Sequence, residues 1–267
     1  MGLVMQISVN GVKLKYEIGG LEGAPWLTFS NSLATDMSMW DAQWDFFKGR
    51  FRVLRYDTRG HGGSEVGELP YTMDKLVDDV IGLWDAVGVE RSHFVGLSMG
   101  GMYALGLAIR YRDRLNSIVV CNARADSPAL FVQNWKDRIK QVNDQGIESL
   151  VEPTIERWFT DGFRSSEPET IDRIRDTIRA TSVKGYEGCA GALQSLDYLS
   201  RMENIQIPAL IIAGTQDLGT PPEGMKEIGA KLPGSEYLEL DPGAHFTAIE
   251  RSETVNLAIE SFLAKHV

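Results

Sequence analysis

The chain has 267 residues and carries 27 Lys plus Arg against 37 Asp plus Glu, a formal charge of −10, with 43% hydrophobic and 24% charged residues. That balance is the globular average; it excludes disordered and fibrous architectures, and the length suits one large domain or a core with an insertion. An acidic chain with no compensating Lys or Arg block repels a phosphate backbone, which argues against a nucleic-acid partner.

No run approaches the roughly 18 apolar residues that span a bilayer, and Met1 to Asn10 lack the charged flank and apolar core of a secretory signal. A cytoplasmic location without a membrane partner is therefore expected. Cys121 and Cys189 have no CxxC spacing, so two reduced, buried thiols are expected rather than a disulfide framework or a cysteine zinc site.

In chain order, the β-rich runs "LVMQISV" and "VKLKYEI" flank Asn10-Gly11, a pair that tolerates positive φ and so signals a hairpin. Short apolar runs follow at Trp26 to Ser30, Phe51 to Tyr56, His93 to Leu97 and Ser117 to Cys121, separated by stretches of helical periodicity. Such alternation predicts a parallel sheet covered by helices. One helix is predicted from about Met73 to Val87, with Thr72 as its cap and Gly88 as its stop. From about Ala125 to Ser200 the segments turn helical and rich in Trp, Arg and Glu, which reads as an inserted cap. Strand signals return at "IPALIIAGT" and "SEYLELD", and Thr254 to Lys265 reads as a final amphipathic helix. The domain expectation is a core of residues 1–124 and 201–267 with a helical cap over 125–200.

Val95-Gly96-Leu97-Ser98-Met99-Gly100-Gly101 holds a G-x-S-x-G between a predicted strand and a predicted helix, the context in which this motif marks a nucleophile. A serine on so sharp a turn needs small neighbours, and the glycines supply them. The hydroxyl is a weak nucleophile at neutral pH, so it requires a base, and the base requires an orienting acid. Among four histidines, His266 lies beside the terminus, His93 opens the nucleophile's own strand, and His61 belongs to the turn "DTRGHGGS". His245, late in the chain after "LELDPGA", suits the order Ser, acid, His. For the acid, Asp217 follows an apolar strand in "IIAGTQDLGTPP", while Asp241 stands too near His245 and is expected to shape its loop.

The backbone N–H of Met99, at the start of a helix, is expected to donate to a developing oxyanion, and Leu33 in "NSLATDMSMW" is the candidate for the second donor, with Asn31 and Ser32 setting that loop. Arg59 is expected to be structural, tying its turn to the nucleophile region.

These segments resemble the α/β-hydrolase family across nearly the whole chain: "NSLATDMSMWDAQ", "VLRYDTRGHGGS", "VGLSMGGM", "AGTQDLGTPP" and "GAHFTAIE" occur in family order. More narrowly, with "WKDRI", "ERWFTDGF" and "GYEGCAGAL", they resemble the 3-oxoadipate enol-lactonase branch: Asn31-Ser32 stands where many α/β-hydrolases have His-Gly, and a Ser after the first residue is familiar in that branch. The resemblance implies an α/β-hydrolase fold: a mostly parallel eight-stranded sheet, helices on both faces and an inserted helical cap. It further implies a cofactor-free, metal-free hydrolysis of a carboxylated enol-lactone in aromatic catabolism.

A substrate carboxylate approaching a chain of charge −10 needs a local cation, and the predicted cap has nine Lys plus Arg against thirteen Asp plus Glu. A specific arginine must serve. Arg124, at the carboxyl end of a predicted strand, is placed ahead of Arg138, three residues past Trp135, although Asp126 competes for Arg124. Trp135, Trp158 and Tyr186 are candidate pocket aromatics. The competing functions are a general carboxylesterase or perhydrolase, and a non-catalytic ligand-binding relative. The partner expected is a small lactone or ester, and the oligomeric state is left open.

Overall fold

Asn10 and Gly11 adopt φ of 45° and 81°. Their two-residue turn pairs β1 (Leu3–Val9) antiparallel to β2 (Val12–Gly20) in the computed structural model, which describes residues 3–202 and 205–266. Positive φ at both central positions matches the right-handed twist of the flanking strands.

Six further strands follow: β3 (Trp26–Ser30), β4 (Arg52–Tyr56), β5 (Ser92–Leu97), β6 (Leu115–Cys121), β7 (Ala209–Gly214) and β8 (Glu236–Leu240). They form one eight-stranded sheet in the order β1-β2-β4-β3-β5-β6-β7-β8. The first two pairings of that order are antiparallel and the rest parallel. Every residue of β5 and β7 is buried, as expected of strands covered on both faces, whereas β8 at the edge alternates.

The helices outside the insertion are α1 (Asp41–Phe47), α2 (Met73–Val87), α3 (Met99–Arg110), α9 (Pro222–Lys231), α10 (Thr247–Glu250) and α11 (Ser252–Leu263). They cover both faces of the sheet. Helix α2 has the bounds its periodicity predicts; the Thr72 side chain accepts from the Lys75 N–H at 3.1 Å, and Gly88 ends it at φ 79°. That φ is why a glycine stops the helix there.

Between β6 and β7, among the described residues, lie five α-helices: α4 (Ala129–Gln145), α5 (Val151–Trp158), α6 (Asp161–Ser166), α7 (Pro168–Arg179) and α8 (Val183–Leu193). The only β-pairing in this stretch among the described residues is a single bridge, Asp126 to Asp197. Helix α8 packs on α4, and α5 on α7. Where α8 meets the rest of the chain, glycine faces glycine: a Cβ on Gly185 would lie 2.0 Å from the Gly60 carbonyl oxygen. Backbone therefore touches backbone at the seat of the insertion.

Arg59 is structural, as expected, but ties its turn to a different element. Its guanidinium forks onto Asp79 of α2, Nε to Oδ2 and Nη2 to Oδ1 both at 2.7 Å, so it ties the β4 turn to α2 and not to the nucleophile region. Both side chains are almost fully buried, and a bidentate pair satisfies two charges that burial would otherwise penalise.

Candidate active site

Ser98 sits between β5 and α3 at φ 57°, ψ −114°, a conformation that L side chains rarely adopt. The turn holds because its N–H donates to the Cys121 carbonyl at 2.8 Å and its carbonyl accepts from the Met102 N–H at 3.0 Å. Its glycines are sterically required. A Cβ on Gly96 would fall 2.1 Å from the Gly100 carbonyl carbon, and one on Gly100 2.1 Å from the Ser30 carbonyl oxygen. Strand and helix thus approach too closely for any side chain, and the serine is left at the apex.

Asp217 follows β7 and is buried. Its Oδ1 accepts from the backbone N–H groups of Gly219 at 2.8 Å and Thr220 at 3.0 Å. Its Oδ2 accepts from Asn122 Nδ2 at 2.9 Å and from the Thr220 hydroxyl, and lies 2.7 Å from His245 Nδ1. Burial alone would raise the carboxyl pKa, but the charge and hydrogen bond of His245, with those from Thr220, outweigh it and hold Asp217 below the usual carboxylate value. An ionised Asp217 keeps the proton on Nδ1 of the imidazole, which leaves the other ring nitrogen as the acceptor.

Ser98, Asp217 and His245 line one cavity of about 280 Å³, together with Leu33, Arg124, Trp135, Arg138, Trp158 and Tyr186 among others. Met99, the first residue of α3, is fully buried. The loop after β3 is pinned from below: Asn31 Nδ2 donates to the Tyr56 carbonyl at 2.8 Å, and the Ser32 N–H to the Met39 sulfur at 3.4 Å. Asn31 and Ser32 do organise this loop. Among the described residues neither the Leu33 nor the Met99 N–H is donated to another group of the protein.

The arginines divide. Arg124 Nη2 pairs with Asp126 Oδ1 at 2.9 Å, and its guanidinium lies 5.0 Å from the Phe131 ring centroid. Its charge is largely answered within the chain. Arg138 has no carboxylate partner among the described residues; it lies 5.1 Å over the Trp135 ring and beside the Tyr186 hydroxyl. Burial lowers its pKa against the opposing influence of Tyr186, and burial pushes the Tyr186 phenol up to about 12. Arg157 on α5 also lines the cavity without an ion pair among the described residues.

The remaining histidines stand outside the cavity lining. His93 Nδ1 is 2.8 Å from the Ser117 hydroxyl, and His61 Nδ1 is 3.1 Å from the Arg59 carbonyl oxygen. Asp241 accepts from the Thr215 hydroxyl at 2.8 Å, a loop-shaping role as expected.

Sequence reasoning missed Asn122. Its side chain donates to Asp217 and accepts from the Thr247 hydroxyl at 2.6 Å, so it positions the acid. Its place at the carboxyl end of β6 was the available signal, because parallel sheets gather ligand-facing groups at that edge. Arg157 was missed as well, and nothing local distinguishes it from a surface charge.

The sheet order, the strained serine turn and the His-Asp contact define a hydrolase architecture, and the chain belongs to the α/β-hydrolase family: the sequence model of the alpha/beta hydrolase fold matches residues 20–252. It is similar to 3-oxoadipate enol-lactonase 2 of Acinetobacter baylyi, 34% identical over 97% of this chain and 96% of the relative. Among solved structures, the enol-lactonase from Burkholderia xenovorans LB400 superposes with a TM-score of 0.93 at 38% identity, covering 97% of this chain and all of that one. A thermophilic esterase from Thermogutta terrifontis, solved with malate bound, gives 0.91 at 29% identity over 99% of this chain and all of that one.

Proposed function

We propose that this protein hydrolyses a carboxylated enol-lactone, of the 3-oxoadipate enol-lactone kind, to a ketoacid through an acyl-enzyme on Ser98. The observation that carries the reading is a single cavity shared by Ser98, by His245 with its Nδ1 2.7 Å from a buried Asp217 carboxylate, and by the carboxylate-free guanidinium of Arg138. Similarity to enol-lactonases over nearly the whole chain supports the substrate class.

In this mechanism Ser98 Oγ attacks the lactone carbonyl while its proton passes to His245. The resulting imidazolium is stabilised by Asp217, and the oxyanion by the N–H groups of Leu33 and Met99. Collapse breaks the ring C–O bond; the enol oxygen leaves with the proton from His245 and tautomerises to the ketone. Because an enol is a good leaving group, acid assistance matters less here than in amide cleavage. A water deprotonated by His245 then attacks the acyl-enzyme; collapse breaks the ester bond to Ser98 Oγ, which takes the proton back from His245, and the second carboxylate is freed. Arg138, with Trp135 and Tyr186 around it, anchors the substrate's own carboxylate. Residues 125–200 act as the cap over a core made of 1–124 and 201–267, and the reaction consumes only water.

The test compares kcat/KM for the enol-lactone with that for neutral p-nitrophenyl esters. The lactone is expected to win by orders of magnitude. The reverse preference would replace this reading with that of a general carboxylesterase, the alternative favoured by similarity to the Thermogutta esterase. Absence of a fluorophosphonate adduct on Ser98 in folded protein would favour a non-catalytic binder.

A further inference from the structure

His245 stands between two backbone amides that are tied to other elements. On one side the Ala244 N–H donates to Glu250 Oε2 at 2.9 Å; on the other the Phe246 N–H donates to the Trp158 carbonyl at 2.9 Å. The second carboxylate oxygen, Glu250 Oε1, accepts both the Thr160 N–H at 3.2 Å and the Thr160 hydroxyl. Thr160 is the N-cap of α6, and Trp158 ends α5; both belong to the insertion. The Trp158 ring stacks on Phe246 at 4.0 Å between centroids and also lines the cavity. One carboxylate therefore bridges the insertion to the loop of His245, and the wall that meets a ligand is fixed to the residue following the histidine.

We propose that Glu250 is a positioning residue that holds the base in register with the cap, so that cap placement and alignment of His245 are a single mechanical variable. The proposal rests on the assignment of His245 as base. A carboxylate suits the post because it only accepts, and donors converge on it from both sides. A glutamine there must turn its NH2 toward either Ala244 N–H or Thr160, so one side is always lost. Small displacements of a base are costly: misplacement by about 1 Å can lower a rate about 100-fold.

The experiment uses full-length Glu250→Gln, Thr160→Val and the double variant. Hydrogen exchange by mass spectrometry is followed over the segments containing 158–163 and 243–250, with the rate of fluorophosphonate labelling of Ser98 and the kcat and KM for substrate. For Glu250→Gln, exchange rises in both segments together, labelling and kcat fall about 10- to 100-fold, and KM stays within about threefold. The double variant is no worse than Glu250→Gln alone, because the two share one bridge. Faster exchange in one segment only, labelling within about twofold of the wild type in folded protein, or multiplying effects would overturn the proposal. If Glu250→Gln does not fold, Thr160→Val decides, since it must speed exchange around Ala244 through Glu250. A wild type that is labelled yet opens no enol-lactone refutes the substrate reading while leaving this one intact; a wild type that is not labelled refutes the catalytic reading, and the exchange measurement alone then judges the bridge.

Discussion

In the proposed mechanism the chemistry of Ser98 and its backbone conformation make opposing demands. Nucleophilic attack needs a side chain, and φ 57°, ψ −114° favours none. Removing the hydroxyl but keeping the Cβ separates these demands: Ser98→Ala is expected to fold and to lose several orders of magnitude in turnover, checked by circular dichroism and steady-state kinetics. Ser98→Gly is expected to be more stable than Ser98→Ala by about 1 kcal/mol, read from urea midpoints, because glycine relieves the strain. Arg138 and Arg124 differ in what already answers their charge. Arg138→Ala is expected to raise KM for carboxylated lactones about 10-fold or more while leaving neutral esters nearly unaffected, as loss of a charge-assisted hydrogen bond would. Arg124→Ala should do less, since Asp126 already occupies it. Equal losses on both substrate classes would remove Arg138 as the anchor.

At the scale of elements, the seat of α8 decides where the insertion rests. Gly60 and Gly185 meet backbone to backbone, and α8 then carries Tyr186 to the cavity beside Arg138. A methyl group at Gly185 cannot rotate away from a carbonyl oxygen 2.0 Å distant, so α8 itself must shift. Gly185→Ala is accordingly expected to cost about 1–3 kcal/mol in urea unfolding, the range for overpacked interiors. It should also raise KM more than it lowers kcat, because Tyr186 moves while the Ser98 turn does not. A variant with unchanged stability and kinetics would show that this contact yields freely.

Across the whole molecule, two buried imidazoles make stability depend on pH. Burial lowers the pKa of His61 to about 4, and burial with His266 and Arg91 lowers that of His93 to about 4. Each is neutral in the folded state, while the unfolded chain binds the proton near pH 6.5. The unfolded state thus takes up protons first as the pH falls, and the stability of keeping these rings neutral is present above about pH 6.5 and declines toward pH 4. Urea unfolding between pH 7.5 and 4.5 should follow that decline; a flat profile would show that neither ring is shielded as its burial indicates. Asp217 acts in the same direction at lower pH: its folded pKa is depressed, so its contribution is present above the ordinary carboxylate value and is lost as the pH falls from there through the folded value.

Much of this was legible in one dimension because the signals are local. The Asn10-Gly11 turn, the bounds of α2 and the serine flanked by glycines all depend on φ preferences or on periodicity within a few residues, which the chain carries wherever it folds. Ser98, Asp217 and His245 could be named from chain order, yet only folding brings His245 and Asp217 within 2.7 Å and sets both on one cavity with Ser98. The competition of Asp126 for Arg124 was legible because the two are neighbours in the chain, and they do pair; that no carboxylate among the described residues reaches Arg138 depends on how distant segments fold around it. Asn122 carried only the sign of its place at the carboxyl end of β6, and Glu250 none, because their partners, Asp217 and Thr160, lie 95 and 90 residues away. Identity and spacing determine which groups a turn or helix can present. Which of them are desolvated together, and which charge is left unanswered, is decided only when distant segments exclude water from the same space, since it is burial that gives a hydrogen bond or an unpaired charge its energetic weight.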